Sequence, residues 1–242
     1  MFPKRGYSTY GQDIGILMLD TRFPRPIGDI GNANTFQFPV KYKIVKSATP
    51  DKIVAARDVA RATLPLFIEA AQELESEGVR AIVTSCGFLT VVQDELASAV
   101  NVPVVTSSLM LVPLVSRMIG PSRKVGVLTA NAQTLSKVHL EAVGIDDTID
   151  VVISGMECSQ AFHSMIFQDL PNPDFKQIER DIYQACAAMK GNEPSIGAFV
   201  FECTNLQPYA QRIQTELRMP VFGIIQAVNL LQTSCSDHWQ LS

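Results

Sequence analysis

Two segments 117 residues apart repeat one unit: an apolar β-branched or aromatic run ending in cysteine, a polar or glycine turn, a helix-like stretch, and a short strand opened by proline. The first copy reads AIVTSC, ending at Cys86, and later VPVV around Pro103. The second reads AFVFEC, ending at Cys203, and later MPVF around Pro220. The separation is 117 residues for the cysteines and again for the prolines. A second pair of anchors precedes the first: DIGILML opens the chain's ordered pattern and KVGVLTA opens its second half, with Gly15 matching Gly126. A chain of this kind is built as two similar halves.

Between these anchors, short apolar runs alternate with helical patterns of ten or more residues. Such alternation requires crossover connections and yields parallel sheets buried on both faces. The expected fold is therefore α/β, with two pseudo-symmetric lobes, each a mostly parallel sheet flanked by helices. The lobes are expected at 1–118 and 119–223, with a C-terminal helix within 224–242 completing the first. The pattern predicts strands at 13–19, 42–45, 150–153 and before each paired cysteine. Thr49 followed by Pro50 opens a helix that should run to about Glu77. Further helices are expected at 132–143, 158–167, 175–189 and 224–233. With 242 residues, two lobes of about 110–120 residues match the usual domain size.

Composition narrows the function classes. The chain is 47% hydrophobic and 18% charged with net charge −4, which suits a soluble globular protein and gives no basic footprint for nucleic acid. The longest apolar-leaning stretch, Ser108 to Gly120, is broken by Pro113 and Arg117 and is too short for a bilayer. The start of the chain lacks the apolar core of a signal peptide, and five cysteines without framework spacing point to a reducing, cytoplasmic setting. Three scattered histidines and the absence of a CxxC pair argue against a metal site. GDIGN lacks the GxGxxG order of a dinucleotide fingerprint. His163 reads as a helix-face or core residue, and Arg22, Arg25, Lys41 and Lys43 as surface charge.

In open parallel sheets, ligands bind beyond the carboxyl ends of the strands, where Cys86 and Cys203 fall. Helix N-termini there are expected to lower a thiol's pKa toward neutrality and so to favour thiolate, the form that acts as base. One thiol on each side of an interlobe cleft suits removal of a proton from one face of a carbon and its return on the other. Cys158, Cys186 and Cys235 have no symmetric counterpart and read as core or helix-face residues.

TSC, VGVLTANAQT and ECTNL together resemble the aspartate/glutamate/hydantoin racemase superfamily, over nearly the whole chain. The resemblance implies two pseudo-symmetric domains, no pyridoxal phosphate or other cofactor, and Cys86 and Cys203 as the two acid/base residues. It also makes a homodimer plausible. Three departures stand beside the thiols. Glutamate racemases read C-N-T after the first cysteine, where this chain has Gly87 and Phe88, and they carry glycine before the second, where this chain has Glu202. Asn205 replaces the histidine that follows C-T.

A carboxylate substrate needs hydrogen-bond donors, for its own charge and for the enolate-like charge that develops as the proton leaves. Thr129, Asn131 and Thr134 resemble the family's Gly-Thr-x-x-Thr carboxylate loop with one insertion. Ser85, Gly87, Thr204 and Asn205 flank the thiols. Asp20 ends the first strand and Asn32 lies in the long loop after it, 21–39, which has the length of a lid or binding loop. The leading expectation is a racemase or epimerase at the α-carbon of an aspartate- or glutamate-like amino acid or close derivative. The alternatives are a hydantoin racemase, an isomerase or decarboxylase of a small dicarboxylic acid in which Cys203 dominates, and a non-catalytic two-lobed sensor.

Overall fold

The computed structural model describes residues 6–54 and 61–235. It contains two four-stranded sheets, all of whose pairings are parallel. The first sheet comprises β1 (Ile14–Leu19), β2 (Val40–Val45), β3 (Ala81–Thr84) and β4 (Val104–Val105), in the order β2-β1-β3-β4. The second comprises β5 (Lys124–Thr129), β6 (Val151–Gly155), β7 (Ile196–Phe201) and β8 (Val221–Phe222), in the order β6-β5-β7-β8. The order is the same in both, so the repeat in the sequence is a repeat in space. Cys86 follows β3 and Cys203 follows β7, the strands at the third place of each sheet.

The central strands β1 and β7 are buried along their whole length, as expected for parallel strands covered on both faces. The paired glycines have a packing reason. A Cβ on Gly15 would come within 2.9 Å of Leu74 on the helix Leu64–Ser76, and one on Gly126 within 2.6 Å of the Phe199 ring. Each glycine lets a large apolar group seat directly on its strand.

The helix Ile224–Cys235 packs Ile224, Ala227 and Val228 against Ile14, Ile16, Ala81 and Val83 of the first sheet. The chain thus returns to its first half after finishing the second. Two buried hydroxyls tie the halves together at the sheet ends: Ser108 Oγ donates to the Phe201 carbonyl at 2.6 Å, and Thr204 Oγ1 to the Ser85 carbonyl at 2.8 Å.

Two helices differ from expectation. The helix expected over 49–77 appears as Pro50–Ile53 and Leu64–Ser76, with Val54 out of helical geometry and 61–62 helical before a turn at Thr63; residues 55–60 of that prediction lie outside the described residues. Pro65 has no N–H for a preceding turn and so opens a new helix at its N-terminus. The helix expected over 132–143 shrinks to Lys137–Glu141, because Asn131 Oδ1 accepts the N–H groups of Gln133 and Thr134 and holds a turn there instead. No helix among the described residues is long and apolar enough to cross a membrane.

Candidate active site

The strand ends converge on a cleft of about 410 Å3 lined from both halves. Leu19, Phe23, Pro50, Val54, Phe88 and Ile166 make it largely apolar, and Cys86, Glu202, Cys203, Asn205 and Arg25 supply its chemistry. The structure therefore brings Cys86 and Cys203 into one cavity, although they lie 117 residues apart.

The local geometry at the two thiols is similar. Ser85 N–H donates to the Leu17 carbonyl at 2.9 Å, and Glu202 N–H to the Leu128 carbonyl at 2.8 Å, so each residue before a cysteine extends its sheet by one bond. Beyond each thiol the chain enters a 3-10 turn, at Gly87–Val92 and Thr204–Tyr209. The backbone N–H of Phe88 reaches the Cys86 sulfur, and that of Asn205 reaches the Cys203 sulfur.

The thiols are not lowered toward neutrality, contrary to expectation. Burial pushes both well above the ordinary thiol range. The negative charge of Glu202 adds to this, and the two backbone N–H groups offset only part of it. The reason is structural: each sulfur meets a short 3-10 turn in an apolar cleft, where desolvation outweighs the dipole of so few peptide groups. At neutral pH both cysteines are S–H groups that need a proton acceptor before either acts as a base.

Of the other residues expected at the site, Ser85, Gly87 and Asn205 line the cleft. The Ser85 hydroxyl accepts the Leu19 N–H at 2.9 Å, which fixes the end of β1. Asn205 donates to Asp29 at 2.8 Å, and its Oδ1 lies 3.7 Å from the Cys203 sulfur. Thr129 and Thr204 are buried just behind the lining, on Glu202 and on the Ser85 carbonyl. Asn131 and Thr134 form the turn described above. Asp20 accepts the Ser47 N–H, and Asn32 caps the turn Ala33–Thr35 and donates to the Arg25 carbonyl. These last four are not among the lining residues.

Three lining or supporting residues have a place at the site that the sequence did not assign them: Arg25, expected as surface charge, Asp29, and Glu202. Arg25 comes from the long loop 21–39, lies over the Phe23 ring at 4.4 Å, and pairs with buried Asp29 at 2.8 Å. Asp29 also accepts the Gly31 N–H and the Asn205 amide, so it fastens the loop to the second cysteine turn. The third, Glu202, is fully buried. Its Oε2 accepts the Thr129 hydroxyl at 2.6 Å, while Oε1 has no hydrogen-bond partner among the described residues. A signal for it existed: Glu202 is the one charged residue in the run IGAFVFEC.

Burial raises the Glu202 carboxyl to about 7, against the opposing pull of the Thr129 hydroxyl and the Ala130 N–H. Because the folded value is raised, the protonated form suits the fold. Stability is therefore highest below the unfolded value near 4.5 and falls as pH rises toward 7. The expected loss across that window is about 3 kcal/mol, at 1.36 kcal/mol per unit. Urea unfolding at pH 5 and pH 8 checks it, and Glu202→Gln should flatten the slope in that window.

No family model matches the chain. In sequence it is similar to dimethylsulfoniopropionate lyase 3 of Emiliania huxleyi, 28% identical over 242 residues, covering 95% of this chain and 63% of that protein. It is also similar to the dimethylsulfoniopropionate lyase of Durusdinium sp. clade D, 27% identical over 217 residues, covering 88% of this chain and 71% of that one. The chain thus spans just under two thirds of the length of the Emiliania relative. In structure it is similar to Picrophilus torridus aspartate racemase (TM-score 0.59, 15% identity, 92% of this chain and 94% of that one). It is similar as well to the allantoin racemase of Klebsiella pneumoniae (TM-score 0.59, 16% identity, 91% and 86%) and to unliganded arylmalonate decarboxylase (TM-score 0.55, 14% identity, 91% and 93%). The chain has the fold of the aspartate/glutamate/hydantoin racemase superfamily.

Proposed function

We propose that the chain is a lyase that takes the α-proton of a small carboxylate onto a cysteine thiolate and expels a β-substituent, with dimethylsulfoniopropionate as the first substrate to test. What supports this reading is the meeting of two cysteines over one apolar cleft, in a chain whose sequence relatives are dimethylsulfoniopropionate lyases. The proposed reaction lies nearer to the isomerase or decarboxylase alternative, in which Cys203 dominates, than to the amino-acid racemase on the same fold.

The reaction balances without a redox step. The α C–H bond breaks as its proton moves to sulfur, a carbon–carbon double bond forms, and the carbon–sulfonium bond breaks with its electron pair leaving on sulfur. The products are acrylate, neutral dimethyl sulfide and one proton. The leaving group is neutral and needs no acid, so a single base suffices for the bond-breaking step. Cys203, the less buried thiol, is assigned that role, with Cys86 assisting from the opposite wall. The N–H groups of Gly87 and Thr204, which open the two turns, are the donors assigned to the carboxylate and to its developing enolate charge.

The charges of the cleft also favour a zwitterion over a dicarboxylic acid. Among the described lining residues Arg25 is the one cation and is already held by Asp29, while Glu202 adds a carboxylate. A sulfonium offsets that charge, and the Phe23 and Phe88 rings offer apolar and aromatic contact to its methyl groups. Headspace gas chromatography for dimethyl sulfide, with proton NMR for acrylate, tests the reading. Release of both at equal rates is expected. Exchange of the α-hydrogen of aspartate or glutamate in deuterated water, with no elimination from the sulfonium, would replace this reading with the racemase one.

A further inference from the structure

The pseudo-symmetry of the two halves isolates one residue that breaks it. Ser85 and Glu202 occupy equivalent positions, each directly before its cysteine and each bonded through its backbone N–H to the matching strand. In the first half a serine hydroxyl suffices to hold the strand end, by accepting the Leu19 N–H. In the second half a glutamate spends one oxygen on the Thr129 hydroxyl and carries a second, buried oxygen against Gly87.

That second oxygen, Oε1, is buried, has no hydrogen-bond partner among the described residues, and packs on Gly87, the residue after Cys86. The carboxyl is thus next to one thiol in the chain and against the neighbour of the other in space. Structural need explains Oε2 and leaves Oε1 unexplained. A buried carboxylate oxygen without a donor is costly to keep, and such orphaned groups concentrate where a proton or ligand arrives.

We infer that Glu202 is a third acid–base group of the cleft, which accepts the proton of a cysteine thiol and so forms the thiolate without adding charge to the buried site. In this step the S–H bond breaks with its electron pair staying on sulfur, an O–H bond forms on Glu202, and the net charge of the cleft is unchanged. The elimination then returns the substrate's α-proton to that sulfur, and the proton on Glu202 leaves to solvent. Among the described residues, the groups acting on Glu202 are the Thr129 hydroxyl, the Ala130 N–H, and the thiols of Cys86 and Cys203. None of these is a free cation able to stabilise thiolate in its place. The raised carboxyl, near neutrality, suits exchange with a thiol. This inference deepens the proposed lyase reading by giving the proton a route, yet its first readout needs no substrate.

The experiment is iodoacetamide alkylation of Cys86 and Cys203 against pH, resolved by peptide mass spectrometry, in wild type and Glu202→Gln. Where one charge is shared between carboxyl and thiol, the wild-type rate rises to about pH 7 and then holds a plateau, since further loss of protons must wait for a second ionisation. In Glu202→Gln the plateau disappears and the rate climbs about tenfold per pH unit up to a single thiol ionisation. Turnover on dimethylsulfoniopropionate falls about 100-fold in the same variant, in the range for loss of one acid–base group. A carboxylate that merely repels thiolate gives the opposite: no wild-type plateau, and Glu202→Gln alkylated and turned over faster. That result would overturn the inference while leaving the lyase reading intact. If Glu202→Gln fails to fold, Thr129→Val decides it. Removing the hydroxyl that lowers the carboxyl should move the onset of the plateau upward by about one unit, and an unmoved profile counts against Glu202.

Discussion

Replacing Cys203 by serine is expected to lower dimethyl sulfide release by about 1000-fold, the middle of the range for loss of a positioned base. The hydroxyl is close to the thiol in shape but far weaker as an acid, so it keeps the packing and loses the base. Stability should change by less than about 1 kcal/mol, because no buried partner is left without a bond. The Asn205 backbone N–H still finds an oxygen where it found sulfur. Cys86→Ser should cost less under the lyase reading, about tenfold to 100-fold, since the second thiol assists and does not take the proton. Equal, large losses in both variants would indicate that both thiols handle protons, as a racemase requires. Turnover undiminished in both would end any assignment of chemistry to the pair. Initial rates with urea unfolding on the same preparations separate these outcomes.

The second large effect is expected at Gly87. A Cβ there would overlap Oε1 of Glu202 and come within 2.5 Å of the Glu202 backbone carbonyl and 2.8 Å of its Cδ. The carboxylate is able to swing away, but the carbonyl is fixed by the end of β7. Gly87→Ala should therefore lose about 2–3 kcal/mol of stability, as overpacking of a tight core does. Displacement of Cys86 from the cleft should also cost about 100-fold in turnover, the scale of a 1 Å misplacement. The double variant Gly87→Ala with Glu202→Gly removes the side-chain clash and keeps the carbonyl one, so partial recovery of stability without activity is expected. No loss in Gly87→Ala alone would show that the two positions do not share this space, and full recovery in the double variant would show that the carbonyl gives way and the side chain carries the whole clash.

This contact also links two of the departures from the glutamate racemase pattern. Glycine precedes the second cysteine and asparagine follows the first in those enzymes; here glycine follows the first and glutamate precedes the second. Read along the chain these are unrelated substitutions. In space the two positions meet, with Glu202 filling the place that a side chain at position 87 would take.

The halves of the fold were legible because parallel strands buried on both faces leave a mark that needs no partner to be read. IGIL, AIVT, VGVL and IGAFVF are apolar throughout, and each of the last strands ends at a cysteine. The helix boundaries were less legible. Val54 leaves helical geometry, the Asn131 turn delays a helix through local bonds that propensity does not register, and Pro65 restarts a helix that periodicity alone would run through. The loop 21–39 stood out by length, yet nothing in its sequence shows that Asp29 reaches Asn205, 176 residues away.

The repeated strand–cysteine unit, by itself, determined the two-lobed α/β architecture and the pairing of Cys86 with Cys203, because strand order and strand-end position follow from a duplicated pattern. Only the tertiary structure decided how those thiols behave. Packing the lobes together removes water from both sulfurs, sets the Glu202 carboxyl against Gly87, and so raises the thiols that the strand-end position alone was expected to lower. Desolvation depends on everything that surrounds a group, and what surrounds these cysteines comes from segments that meet only when the chain is folded.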